Sequence, residues 1–94
     1  MADSVMTNIS MVEQYGKNIN NVNQQMLQIF QKMKQQTNCG GRVWKDDMYD
    51  RFRQDFDQDV MKKVQEISMK LEMFSKYVEK QTQFHRMAQQ NKYY

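Results

Sequence analysis

The chain has 94 residues and a net charge of +3, with no proline, three glycines, ten methionines, 14 glutamines and seven asparagines. Its apolar content is only 39% and its mean hydropathy is −0.98, so one small domain at most is expected, with too little core for a deep enzyme pocket. One Cys excludes an internal disulfide framework, and one Cys with one His makes no metal site alone.

The first stretch in chain order is not expected to act as a cleaved targeting signal. Met1-Ala2-Asp3-Ser4-Val5-Met6 has neither a basic n-region nor a continuous apolar stretch. No window approaches the ~18 apolar residues of a bilayer span, so no membrane insertion is expected. The expected product is made in a cytoplasm and, if exported, leaves without a cleaved signal peptide.

Apolar residues then recur every seventh position at Val5, Val12, Ile19, Met26 and Met33, with Tyr15, Val22 and Ile29 as a second set. That heptad pattern predicts a helix over 4–37. Within it, Gly16 either admits a close neighbour or is merely tolerated. Asn38-Cys39-Gly40-Gly41 is the main punctuation in the chain, and the paired glycines predict a left-handed stop. The bend is expected over 38–45. Asp46 is a good N-cap for a second helix over 46–90, with Asp47 and Asp50 in the positive field of its first turn. A frayed tail over 91–94 completes the division of a single domain, 1–94.

The second helix carries one apolar face through Tyr49, Phe52, Phe56, Val60, Val64, Ile67, Leu71, Phe74 and Val78. The predicted fold class is all-α: two long antiparallel helices in a hairpin, forming a four-helix bundle on dimerisation. Counting back from the bend places Val5 beside Val78 and leaves residues beyond about 80 overhanging. Met69, Met73, Tyr77, Phe84 and Met87 form a second apolar stripe on the outer side. Methionine is adaptable packing material, so this stripe is the candidate partner interface, against the plainer reading of scattered surface methionines.

The bend carries a resemblance. Gly40-Gly41-Arg42-Val43-Trp44-Lys45-Asp46, between two long helices in a chain under one hundred residues, resembles the WXG (Trp-x-Gly) helical-hairpin family of type VII, ESX-like secretion systems. The chain is similar to a divergent member, with Trp44-Lys45-Asp46 where the family has Trp-x-Gly. The resemblance implies a small secreted substrate, or an adaptor for a larger effector, that pairs as a homo- or heterodimer. It places Gly40, Gly41, Trp44 and Asp46 in the bend motif. The family's Tyr-x-x-x-Asp/Glu export signal is not matched, since Tyr77 is followed four residues on by Gln81. Apart from the family, Trp44 beside two glycines is expected to cover the open end of the hairpin, its indole N–H satisfying a helix-terminal carbonyl.

Other chemistries fare worse. In a hairpin, Cys39 and His85 stand on the order of 60 Å apart, too far for a thiol–imidazole dyad within one chain. The group Asp46, Asp47, Asp50, Asp55, Asp57 and Asp59 lacks the calcium-loop pattern and reads as surface charge. The basic stretch 61–94 hints at nucleic acid, but Lys62–Glu66–Lys70 and Glu72–Lys76 have the spacing of ion pairs on a solvated helix. No catalytic residue, metal ligand or cofactor is expected. The leading function is WXG-like, secretion-associated helix-face docking. The alternatives are an intracellular coiled-coil assembly protein and a basic helical nucleic-acid binder.

Overall fold

The computed structural model describes residues 8–91. Val5, the predicted helix start at residue 4 and the tail beyond residue 91 lie outside them. Helix α1 covers Ile9–Gly40, α2 covers Asp47–Asp55, a single π turn covers Phe56–Val60, and α3 covers Met61–Asn91. α2, the π turn and α3 form one rod that returns along α1, giving an all-helical hairpin of 71 × 19 × 15 Å. Asn8 begins α1: its extended backbone lets the side chain accept from the Met11 N–H at 3.1 Å, satisfying one of the donors a helix start leaves open. Asp46 does the same for α2, accepting from the Tyr49 N–H at 2.7 Å.

α1 runs past its predicted end, through Cys39 to Gly40. The expected left-handed stop is not used, because Gly41 has φ −65° and no described glycine has a positive φ. The chain instead leaves α1 by a tight turn in which the Val43 and Trp44 N–H groups both donate to the Gly40 carbonyl, at 3.1 and 2.9 Å. Gly40 serves space rather than dihedral freedom. A Cβ there would collide with the Tyr49 hydroxyl.

The buried seam also differs from the predicted stripes. In α1 it runs through Ile9, Val12, Gly16, Ile19, Asn23, Met26 and Phe30, all buried or half-buried. Val12, Ile19 and Met26 keep their expected place, but Tyr15, Val22 and Ile29 are exposed, as is Met33. In α3 the seam is Met61, Val64, Ser68, Leu71, Ser75, Val78, Thr82 and His85, so Ile67 and Phe74 are exposed and Met61, Ser68 and Ser75 take the places predicted for Val60, Ile67 and Phe74. The π turn explains the shift. Its bonds span one residue more than α-helical ones, so it rotates everything downstream relative to Tyr49, Phe52 and Phe56.

Small residues make this seam close. The Ser75 hydroxyl donates to the Gly16 carbonyl at 3.1 Å. A Cβ on Gly16 would stand 2.9 Å from Val78 Cγ1, so the glycine permits the approach rather than being merely tolerated. Asn23, only 2% exposed, donates from Nδ2 to the Ser68 carbonyl at 3.3 Å, while its Oδ1 has no partner among the described residues. A half-satisfied amide in the seam is costly in any other alignment, which favours one register. That register is not the one counted from the bend. Gly16 lies beside Val78, Thr82 is buried, and Arg86 reaches Glu13, so α1 covers α3 well beyond residue 80. At the bend the pairing is still near the counted one, with Tyr49 reaching Thr37, and the offset grows along the seam to Asn23 with Ser68 and Gly16 with Ser75 and Val78.

Candidate interaction surface

Gly40, Gly41, Trp44 and Asp46 come together at the closed end of the hairpin, around a residue that the motif does not include. The Tyr49 hydroxyl donates to the Thr37 carbonyl at 2.7 Å, and its ring stacks on Trp44 at 5.3 Å and 17°. The role expected of the indole, satisfying a helix-terminal carbonyl, therefore falls to Tyr49. The Trp44 indole N–H donates instead to Asp46 at 2.6 Å, and the side chain is 58% exposed, so it lies against the bend rather than sealing it. The physical reason is reach: the tyrosine rises from the first turn of α2 over Gly40, where no side chain blocks it. The Tyr49 N–H and the Trp44 indole both donate to Asp46 and hold its carboxyl below the usual carboxylate range. Arg53 lies over Gly41 and pairs with Asp50 at 2.9 Å.

Along the rods, the close seam separates two flanks. One is polar. Arg86 forms a two-pronged ion pair with Glu13, at 3.1 Å from Nε and 2.5 Å from Nη2, and this hydrogen bonding lowers the Glu13 pKa. The adjoining groove has Gly16 and Val78 at its floor and is rimmed by Glu13, Lys17, Ser75, Glu79, Thr82 and Gln83. The other flank is apolar. Tyr15, Val22 and Ile29 of α1 stand along one border of the seam, and Val60 of the π turn, with Ile67 and Phe74 of α3, stands along the facing border. In an antiparallel pair these rows run side by side, and the Tyr15 and Phe74 rings meet edge to face at 6.3 Å. Between the rows lies a groove lined by Tyr15, Asn18, Ile19, Val22 and Leu71, with no polar surface. Apart from half-buried Val60, these six residues are 43–59% exposed.

The second stripe expected from the sequence, Met69, Met73, Tyr77, Phe84 and Met87, is also outward-facing and 57–68% exposed. Tyr77 is the member tied to the apolar flank, its ring stacked on Phe74 at 6.3 Å. The flank's own residues are visible in the sequence, but their helical spacing assigns them to the interior. Their signal is that two rows of large apolar residues flank rows of small ones, which bury more easily at a close contact.

The remaining candidates stay apart. Cys39 is exposed at the bend, whereas His85 sits on the seam at the far end. No group of three or more metal-ligating side chains is assembled among the described residues, and no helix there is long and apolar enough to cross a membrane. Of the spaced ion pairs, Glu72–Lys76 forms at 3.2 Å, and Lys62–Glu66–Lys70 does not. No protein-family model, curated protein or solved structure matches the chain.

Proposed function

We propose that this hairpin is a WXG-like, secretion-associated interaction protein, either a small secreted substrate or an adaptor for a larger effector. It works by laying a helix face on a helical partner, a second hairpin of the same or another sequence, to complete a four-helix bundle. The observation that carries this reading is the apolar flank of Tyr15, Val22, Ile29, Val60, Ile67 and Phe74. Only five apolar side chains are buried among the described residues, Ile9, Phe56, Met61, Val64 and Val78. Larger apolar groups are thus left outside the hairpin than several it encloses, which marks an interaction site. The Trp44-Lys45-Asp46 bend supports the likeness to WXG hairpins, and the Met69, Met73, Tyr77, Phe84 and Met87 stripe offers a second, outer contact. No catalytic role, metal or cofactor enters the proposal.

Light scattering tests it, on the purified chain alone and mixed with the helical N-terminal domain of an effector encoded beside it. The expected result is a mass above the 11.5 kDa of one chain, lost in Ile67→Lys with helicity unchanged. A cooperatively folded monomer in both samples would overturn the reading. The heptad seam equally suits an intracellular coiled-coil assembly protein; recovery of the chain only from cells, never from the medium of a secreting culture, would favour that alternative.

A further inference from the structure

The border of the apolar flank carries a net positive charge. On a helix, residues three and four apart share a face. Lys32 follows Ile29 by three positions, Lys63 precedes Ile67 by four, and Lys70 lies between Ile67 and Phe74 at the same spacings. The equivalent places further along are Met11, Asn18 and Gln25 on α1 and Tyr77 and Phe84 on α3, so none holds a carboxylate. Among the described residues none of the three lysines is in an ion pair. Most of the chain's acids are elsewhere: Glu13 faces the polar flank with Arg86, Glu72 holds Lys76, Glu79 lines the polar groove, and the aspartates cluster from Asp46 to Asp59. Glu66, three residues after Lys63 and four before Lys70, is the one acid beside these lysines and is in no ion pair with them, so the border keeps a net positive charge.

From this charge pattern we propose that the occupant of the flank is an amphipathic helix of another protein, with carboxylates beside its apolar stripe. The proposal rests on the helix-docking reading above and names its partner. The apolar groove along Tyr15, Ile19, Val22 and Leu71 receives the ridge of that helix, as grooves between side-chain rows do. Lys32, Lys63 and Lys70 lay their methylene stems along the apolar contact and put their ammonium groups against the partner's acids. A second copy of this chain brings the same net positive border, with Glu66 as its one nearby acid against three lysines, and is the poorer match. A flat bilayer does not fill a furrow between two helices. Opposed charge at the rim selects the partner and speeds encounter, while the apolar stripe supplies most of the affinity.

Two synthetic helical peptides with the same leucine stripe, one flanked by glutamates and one by lysines, test this by fluorescence anisotropy against the full chain. The glutamate-flanked peptide is expected to bind about tenfold tighter at low salt, the gap narrowing as salt screens the rim. The triple variant Lys32→Glu, Lys63→Glu, Lys70→Glu should reverse the preference while keeping its helical circular dichroism. Equal affinities that Ile67→Lys abolishes would overturn the charge rule and leave helix docking standing. Binding untouched by Ile67→Lys would overturn both. A homodimer that Ile67→Lys dissolves, capture of phosphatidylglycerol vesicles without peptide binding, or no peptide binding at all would each overturn the acidic partner.

Discussion

The two flanks of the hairpin border the same seam, yet one is paired within the chain and the other is not. On the polar side the chain meets its own needs: Glu13 finds Arg86, and polar side chains rim the groove beside them over Gly16 and Val78. On the apolar side, Tyr15, Val22, Ile29, Ile67 and Phe74 remain in water with only partial contacts between them. The lesson is that hydrophobicity does not choose the inside of a two-helix contact. Closeness does. Gly16, Ser68 and Ser75 let the backbones approach where bulkier side chains would hold them apart, and the large groups are displaced to the borders.

The change with the largest expected effect on this division is Gly16→Val. With 2.9 Å between its Cβ position and Val78 Cγ1, the branched side chain must push the rods apart. Overpacking of this kind costs about 1–3 kcal/mol, readable as a lower urea midpoint, and both flanks should lose their shape together. An unchanged midpoint would mean that the close seam does not define the flanks.

Next comes Asp46→Ala, which removes the cap of α2 and the acceptor of the Trp44 indole at once. The melting temperature should fall by less than for Gly16→Val, and Trp44 fluorescence should shift as the ring leaves Tyr49. If neither changes, the bend is held without the motif.

Ile67→Lys probes the apolar flank directly. Because the side chain is half exposed, the hairpin should stay within about 0.5 kcal/mol of its stability, while partner binding is lost. A large destabilisation would place Ile67 in the core and erase the contrast between flanks.

The smallest effect belongs to Glu13→Gln on the polar flank, an exposed pair in which screening by water leaves little net gain. Its sign is nonetheless fixed. Arg86 lowers the folded pKa of Glu13, so the stabilisation is present above the ordinary carboxylate range and is lost as pH falls through the lowered value. Asp46 titrates in the same sense. Wild type and Glu13→Gln should differ slightly at neutral pH and converge in strong acid; divergence in acid would contradict the pairing.

Much of this was legible in the residues. Heptad spacing foretold two rods and Asp46 announced the second helix, because caps and periodicity are local properties, whereas Asn38, Cys39 and Gly40, read as bend, are the last turn of α1. The site was harder to read. Its six apolar residues sit at helical spacing, where a pattern reader assigns them to the core, while Gly16, Asn23, Ser68 and Ser75 look like interruptions. Tyr49's hydroxyl bond to Thr37 was equally hidden, since it joins two helix ends through a glycine that is empty only in three dimensions.

The sequence alone therefore determined that the chain is helical, roughly where it turns and which residues are apolar. Tertiary structure decided the rotation of each rod about its axis. One extra residue in the π turn rotates α3 and exchanges Ile67 and Phe74 for Ser68 and Ser75 at the contact. That choice depends on how closely two backbones can pack, a quantity that belongs to the pair of helices and to neither strip of residues by itself.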